Sequence, residues 1–367
     1  MSVSEFLSYM KGKGAPEAGK QLYRVLRDFL NNYLVLLFGA GIAMAGKTVG
    51  DVLVNLLTCP GIGVSLSVFM LSGLYIGEKN RRGMEMLVRR ALINVGFMVI
   101  LSLAAIIAAP ALLNVFLPAL DPAKRPEAII CVRAMLLKMP FFVGFETYTS
   151  YLQSIGKTRH YNVLSFCGII VFYIPAMLFF SSRFGAPGTI ISIPAGMLLA
   201  VLAYYFLLWI RLRRHPSMDD FFYLTEQFGA AGTTEFYTTV RSASDMDRCL
   251  DDVRELLNRE GISLRSVNHI TLIIEELCVN TMTYGFPSEK EEKRAIEIRL
   301  LVEKEDVILR IQDNCRQFNV TEKYEEIRKQ EACPENPMGL ILANSFVEDI
   351  RYLSTLNLNN IIVTVKR

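Results

Sequence analysis

The chain has 367 residues, of which 52% are hydrophobic and 20% charged, and its mean hydropathy of +0.32 excludes a single ordinary soluble domain. Its net charge of +3 conceals an asymmetry: residues 1–215 carry 21 Lys/Arg against 9 Asp/Glu, whereas residues 216–367 carry 18 against 27. The front half therefore predicts membrane with positive flanks and the back half a solvated acidic domain, and no basic, aromatic-studded patch there offers a nucleic-acid surface. The seven cysteines are odd in number, widely spaced and never in a C-x-x-C pair. That spacing argues against a disulfide framework or a zinc site and predicts a reducing compartment. Residues 1–20 lack the charged-then-apolar order of a signal peptide, so the chain is expected to start in the cytoplasm.

In chain order, residues 21–210 read as a membrane domain of about six transmembrane helices. Three spans are clear at Leu87–Leu117, Tyr161–Phe180 and Gly188–Trp209, and residues 21–77 are long enough for two more. Ala128–Ile155 is apolar but contains Arg133, Lys138 and Glu146, which predicts a span facing a bundle interior. Within the membrane, Asp51 beside Lys47 fits an internal ion pair. Glu146 fits either a cation- or proton-coupling carboxylate or a partner for Arg133 or Lys138. Basic residues cluster at 79–90, 157–159 and 211–214, and with six crossings these fall on one face together with Lys11, Lys13, Lys20, Arg24 and Arg27. The positive-inside rule then puts both termini in the cytoplasm of a multi-pass inner-membrane protein.

Residues 211–234 read as a linker, and 235–367 as a soluble α/β sandwich. Its expected elements are a strand at Glu235–Arg241, helices at Asp245–Arg259 and Leu264–Tyr284, and strands at Ala295–Val302 and Val307–Gln312. A polar loop with a short helix follows to Pro337, then a helix from Gly339 and strands at Val347–Ser354 and Leu358–Lys366. On the long helix Glu276 and Asn280 stand four residues apart, hence on one face. A carboxylate and an amide so stacked can polarise a water and ligate magnesium, but by themselves such a pair is usually a solvated face.

The order of features downstream narrows this. The helix Ile270–Phe286, the strand pair ending in Gln312-Asp313-Asn314, and Asn336-Pro-Met-Gly339-Leu340 opening a helix resemble the three ATP-binding boxes of the GHKL (Bergerat) ATPases, specifically the anti-sigma-factor serine kinases. The resemblance implies ATP and Mg2+ as cofactors. It assigns Glu276 as general base, Asn280 to magnesium, Asp313 to the adenine amino group, and Gly339 with Leu340 to the phosphates. A helix N-terminus with free N–H groups is independently a sound phosphate site. An anti-anti-sigma-like protein or a sigma factor is the partner so implied. The chain departs from the pattern in reading Asp313-Asn314-Cys315 where the family has Asp-x-Gly, in lacking glycine over Tyr324–Pro337, and in offering no evident counterpart in 359–362 for the family's Thr. An inactive binding module stays open on those grounds. A histidine kinase fits poorly, because none of His160, His215 and His269 lies on a dimerising helix.

The membrane half resembles the multidrug and toxic compound extrusion (MATE) transporters. Its markers are Leu152-Gln-Ser-Ile-Gly-Lys-Thr158, Tyr173-Ile-Pro175 and Phe184-Gly-Ala-Pro-Gly-Thr189, with Gly61-Ile-Gly-Val-Ser65 and Gly73–Glu78 before them. Such transporters have two six-helix halves, and this stretch corresponds to one. A missing first half, a homodimer, or a fold retained without transport all accommodate it. The expectation is a membrane-anchored regulatory ATP-binding protein; the alternative is a MATE-type antiporter half gated by nucleotide.

Overall fold

A computed structural model describes residues 14–224, 234–286, 295–303, 305–315, 349–355 and 358–367. The chain divides into two compact units that meet at residues 228 and 229.

The first unit is helical. Its elements are α1 (Ala15–Gly77), α2 (Arg81–Phe116), α3 (Arg125–Leu136), α4 (Lys138–Ser154), α5 (Thr158–Phe166), a π turn (Cys167–Val171), α6 (Tyr173–Leu212) and the short α7 (Met218–Phe221). Among the described residues four stretches are long and apolar enough to cross a membrane: Ala15–Gly77, Arg81–Phe116, Arg125–Ser154 and Thr158–Leu212. The first has 63 residues and would run about 95 Å if straight, some three times the hydrocarbon thickness of a bilayer. It is not straight. Ala40 (φ 48°, ψ −153°) and Gly185 in the last stretch (φ 63°, ψ −137°) leave the helical region, and at both the chain reverses.

The reversal at Gly185 is visible in packing across it. A Cβ placed on Gly188 would fall 2.1 Å from the carbonyl oxygen of Phe180, and one on Gly196 would fall 2.9 Å from that of Gly168. In a straight helix residues eight apart are separated by about 12 Å. At Ala40 the logic is similar. Residues 41–77 run alongside α3 and α4 in the same direction, with a Gly46 Cβ 2.6 Å from the Ala128 carbonyl, Ser65 Oγ 2.7 Å from Thr147 Oγ1, and Ser154 Oγ donating to the Phe69 carbonyl at 2.5 Å. Lys20, at the other end of α1, meets Glu146, while a Cβ on Gly39 would meet the Glu127 carboxylate at 3.3 Å. Residues 15–39 therefore run antiparallel to 41–77, and the two folded-back stretches supply four helical segments beside α2 and α3–α4. Gly185 is the residue type that this positive φ favours, whereas Ala40 holds it at a cost of about 1–3 kcal/mol.

Lys20 and Arg27 are buried within the bundle; α1 begins at Ala15, so these residues already point inward. Residues 217–224, read as linker, form α7 and a buried tail packed on the bundle: Phe222, Tyr223 and Leu224 join the core cluster of α4, α5 and α6. The basic clusters do converge at one end, since Arg81 bridges Asp219 at 2.6 Å, Arg214 bridges Asp220 at 2.7 Å and Lys157 lies over the Tyr223 ring.

The second unit is a two-layer sandwich. Strands β1 (Thr234–Val240), β2 (Ile296–Val302), β3 (Asp306–Asp313), β4 (Asp349–Thr355) and β5 (Leu358–Lys366) form one sheet in the order β1-β2-β3-β5-β4, with every neighbouring pair antiparallel. Helices α8 (Ala243–Arg259) and α9 (Leu264–Asn280) pack on one face. Alternation decides which residues face them: Ile296, Ile298, Leu300 and Val302 from β2, Val307, Leu309 and Ile311 from β3, and Ile361, Val363 and Val365 from β5 are all in one core with Val253, Leu257, Ile270 and Ile274. The loop to Pro337 and the helix expected at Gly339 lie outside the described residues.

The start of α8 is set by a capping box. Ser242 Oγ accepts from the Asp245 amide, and Asp245 reaches back to the Ser242 amide. The Ser242 hydroxyl bond is the first cause holding the Asp245 carboxyl below its ordinary value. This contribution is present above the usual carboxylate range and is lost as pH falls through the lowered value. Ser242→Ala is expected to cost about 1 kcal/mol in denaturant titration of this unit near neutral pH. The share of that difference that runs through the Asp245 carboxylate should vanish in acid while the share from the Asp245 amide's hydrogen bond to Ser242 Oγ remains, and a difference that does not shrink at all would refute the carboxylate's part in the box.

Candidate functional site

α9 is amphipathic because Val267, Ile270, Ile273, Ile274, Leu277 and Cys278 recur on one stripe and bury it against the sheet. Ser263 caps it by accepting from the Ser266 amide. Glu276 and Asn280 fall at the edge of the stripe and are half-buried, one turn apart. A π turn, Thr281–Gly285, prolongs the helix. Gly285 meets the end of β3 so closely that a Cβ there would sit 2.7 Å from Cys315 Sγ. Any larger residue would push the helix end from the strand end. This close approach brings the helix carrying Glu276 and Asn280 to the strand end carrying Asp313.

Asp313 is the last residue of β3 and is 3% exposed. The β3–β5 register places it opposite Asn359. Asn359 Nδ2 donates to Asp313 Oδ1 at 2.8 Å, and the Cys315 amide donates to the same oxygen at 3.1 Å. Tyr352 on β4 donates its hydroxyl to Asn359 Oδ1 at 2.7 Å, which fixes which end of the amide faces Asp313. The result is a relay, Tyr352 to Asn359 to Asp313, that orients a nearly buried carboxylate.

Two thiols lie near the carboxylate, and both are raised chiefly by burial. Cys315 is pushed up to about 12, by burial first and then by its hydrogen bond to Asp313 and that carboxylate's charge. Cys278, between Glu276 and Asn280 in sequence, is raised by burial, with Cys249 and Asp313 adding. Asp313 is thus electrostatically coupled to the stretch of α9 that carries Glu276 and Asn280. Both thiols are protonated at neutral pH and poor nucleophiles.

Asn359 is the residue that sequence reasoning missed. The segment 359–362 lacks the family's Thr, yet Asn359 stands where its amide reaches Asp313, and only the strand register reveals the pairing. Gly339 and Leu340 lie outside the described residues. No cluster of three His, Cys, Asp or Glu side chains able to hold a metal occurs among the described residues.

Comparison with known proteins divides the chain the same way. Residues 16–179 match the MatE family model, and residues 241–365 match that of the histidine kinase-like ATPase domain. The chain joins a MatE domain to a histidine kinase-like ATPase domain. No curated protein matches the chain. Among solved structures, an outward-facing multidrug resistance MATE family transporter of the MOP superfamily aligns at 19% identity and TM-score 0.52, over 62% of this chain and 49% of that one. The Vibrio cholerae MATE transporter VcmN in its bent form aligns at 18% and 0.52, over 62% and 50%. A MATE structure in the straight conformation aligns at 18% and 0.51, over 62% and 49%. At these identities the likeness establishes the MATE fold, and the chain spans about half the length of the transporters it matches.

The MatE domain holds its own buried polar cluster. Lys20 Nζ donates to Glu146 Oε2 at 2.9 Å and to Thr149 Oγ1 at 3.0 Å, and Arg24 pairs with the other Glu146 oxygen. Glu146 thus pairs with neither Arg133 nor Lys138. Arg133 donates to the Ile106 carbonyl at 3.2 Å, and Lys138 approaches Asp51 at 3.9 Å. Asp51 pairs with Lys47 at 2.6 Å, the internal ion pair expected for it.

Proposed function

We propose that the chain is a membrane-anchored regulatory protein whose ATPase domain binds ATP with Mg2+ and acts as a serine kinase of the anti-sigma-factor type on a protein partner. The Tyr352–Asn359–Asp313 relay carries this reading. A nearly buried carboxylate oriented in this way at a strand end is suited to accept from the exocyclic amine of adenine. Asn280 would hold the magnesium ion, which supplies charge neutralisation at the phosphates. Glu276 would take the proton of a partner's serine hydroxyl as it attacks the γ-phosphate. Gly339 and Leu340 are proposed for the phosphates. An anti-anti-sigma-like protein or a sigma factor is the partner class this activity would serve. The basic clusters gathered at one end of the bundle support a cytoplasmic ATPase domain in the inner membrane, with both termini inside.

Calorimetry of residues 229–367 tests the nucleotide reading. ATP is expected to bind with magnesium dependence, and Asn280→Ala to weaken the magnesium-dependent part about tenfold, or ~1.4 kcal/mol. A folded fragment that gives no nucleotide heat at any magnesium concentration would replace this reading with a non-nucleotide module. The alternative, a MATE-type antiporter gated by nucleotide, is favoured by the buried charges lining α1 and α4. A single six-helix half has one wall of a transport path, so transport would require a homodimer. A monomer that moves substrate in liposomes would overturn that requirement.

A further inference from the structure

The bundle contains an apolar cavity of about 260 Å³, larger than the roughly 150 Å³ that already admits a benzene-sized molecule. Helices α1, α2, α4 and α6 contribute Val68, Val95, Gly144 and Met197, and the remaining wall is Phe221 and Phe222. The polar atoms at its edge are committed elsewhere. Tyr148 and Tyr151 donate their hydroxyls to the carbonyls of Phe221 and Phe222 at 2.9 and 2.6 Å, and Thr147 donates to the Val143 carbonyl at 2.7 Å. An occupant therefore meets walls that are almost wholly carbon, which suits hydrocarbon and penalises a polar group. Two of the lining residues, Leu92 and Leu198, are 48% and 42% exposed on the outside of membrane-crossing helices. The cavity is thus reached from the side where lipid tails lie.

The wall made by Phe221 and Phe222 belongs to the segment that leads into the ATPase domain. Residues 217–224 are held by the two tyrosine hydroxyls, by a hydroxyl contact between Tyr204 and Tyr223, by Arg81 on Asp219, and by a stacked ring pair of Tyr148 and Phe221 at 4.4 Å. A molecule that fills the cavity must press on this segment or seat it.

We propose that the cavity binds a phospholipid acyl chain and that its occupancy is transmitted to the ATPase domain through residues 217–224. The transmission rests on the ATP-binding reading above; the acyl-chain site does not.

The full chain in nanodiscs of phosphatidylcholine and phosphatidylglycerol, doped with a phospholipid bearing a diazirine in its tail, provides the test. Illumination is expected to label peptides containing Gly144 and Phe221–Phe222. Gly144→Leu should cut that labelling about fivefold or more by filling the space. A Cβ there meets only the Val95 methyls, at 3.6 Å, so the backbone accepts it. Labelling at lipid-facing Ile107, 78% exposed, should stay unchanged and shows that the bundle is folded. Labelling of the cavity that does not exceed the Ile107 level, or that survives Gly144→Leu, would overturn the site. In the same nanodiscs Tyr148→Phe with Tyr151→Phe should speed hydrogen exchange of the 217–224 amides about tenfold. Both variants should shift ATP affinity about threefold or more if a state change costing under 1 kcal/mol is relayed. Unchanged ATP affinity beside the expected labelling would overturn the transmission alone. A parent chain that binds no ATP would instead overturn the ATPase reading and with it the transmission, while the labelling still decides the acyl site.

Discussion

Asp313→Ala in the isolated ATPase unit is expected to weaken ATP binding about 30- to 100-fold, because a hydrogen bond to a charged group contributes about 2–3 kcal/mol when its loss strands the partner. GTP has no amine at the equivalent position of its base, so its binding should change by less than about threefold. Calorimetry with both nucleotides measures the split. The relay makes the test more specific. Tyr352→Phe removes the donor that orients Asn359 but leaves the contact between Asn359 and Asp313, and should cost ATP about three- to fivefold, as one neutral hydrogen bond does. Asn359→Thr keeps a donor beside Oδ1 and should be milder than Asn359→Ala. Equal losses for ATP and GTP in Asp313→Ala would make the carboxylate a structural residue of the strand end, a role its 3% exposure also permits.

The legible parts of this domain were those with local signals. β2 and β3 announce themselves by alternation, and α9 by its 3.6-residue stripe, so Glu276, Asn280 and Asp313 could be placed on their elements from sequence. Asn359 could not. Its role depends on the register that sets it opposite Asp313 across two strands 46 residues apart in the chain, and nothing local in Asn359-Asn360 signals that pairing. Gly285 was noticed only as part of a motif; its physical reason is the approach to Cys315, a non-local contact.

In the MatE domain the same distinction recurs. Hydropathy located the apolar stretches, but composition could not say that Lys20 and Arg27 point inward, because a cation near the start of a span looks alike whether it faces headgroups or a buried carboxylate. The tail at 217–224 did carry a signal that went unused. Phe221-Phe222-Tyr223-Leu224 is four large apolar residues in a row after a Ser217–Asp220 capping box, a pattern for a docked turn and not for a solvated linker.

Glu146→Gln is expected to destabilise the MatE domain by about 3–5 kcal/mol, because it strands two buried cations at once. Lys20 is 2% exposed and Arg24 18%, and both direct their charges at this one carboxylate. The neutral amide introduced by that substitution would still accept a hydrogen bond from Lys20 but would neutralise neither charge. Lys20→Met should cost less, since Arg24 keeps its partner and the methionine fills similar volume. Removing all three charges, as Lys20→Met, Arg24→Leu and Glu146→Leu together, should recover most of the loss, since replacing a buried ionic cluster by packed apolar groups is often near neutral. Thermal unfolding of the detergent-solubilised chain, read at the membrane unit by tryptophan emission from Trp209, ranks the four proteins. The order expected, from most to least stable, is parent or triple variant, then Lys20→Met, then Glu146→Gln. If Glu146→Gln proves no worse than Lys20→Met, the carboxylate is not holding two cations in the bundle, and its place on α4 facing α1 would have to be explained by traffic of a cation or proton instead.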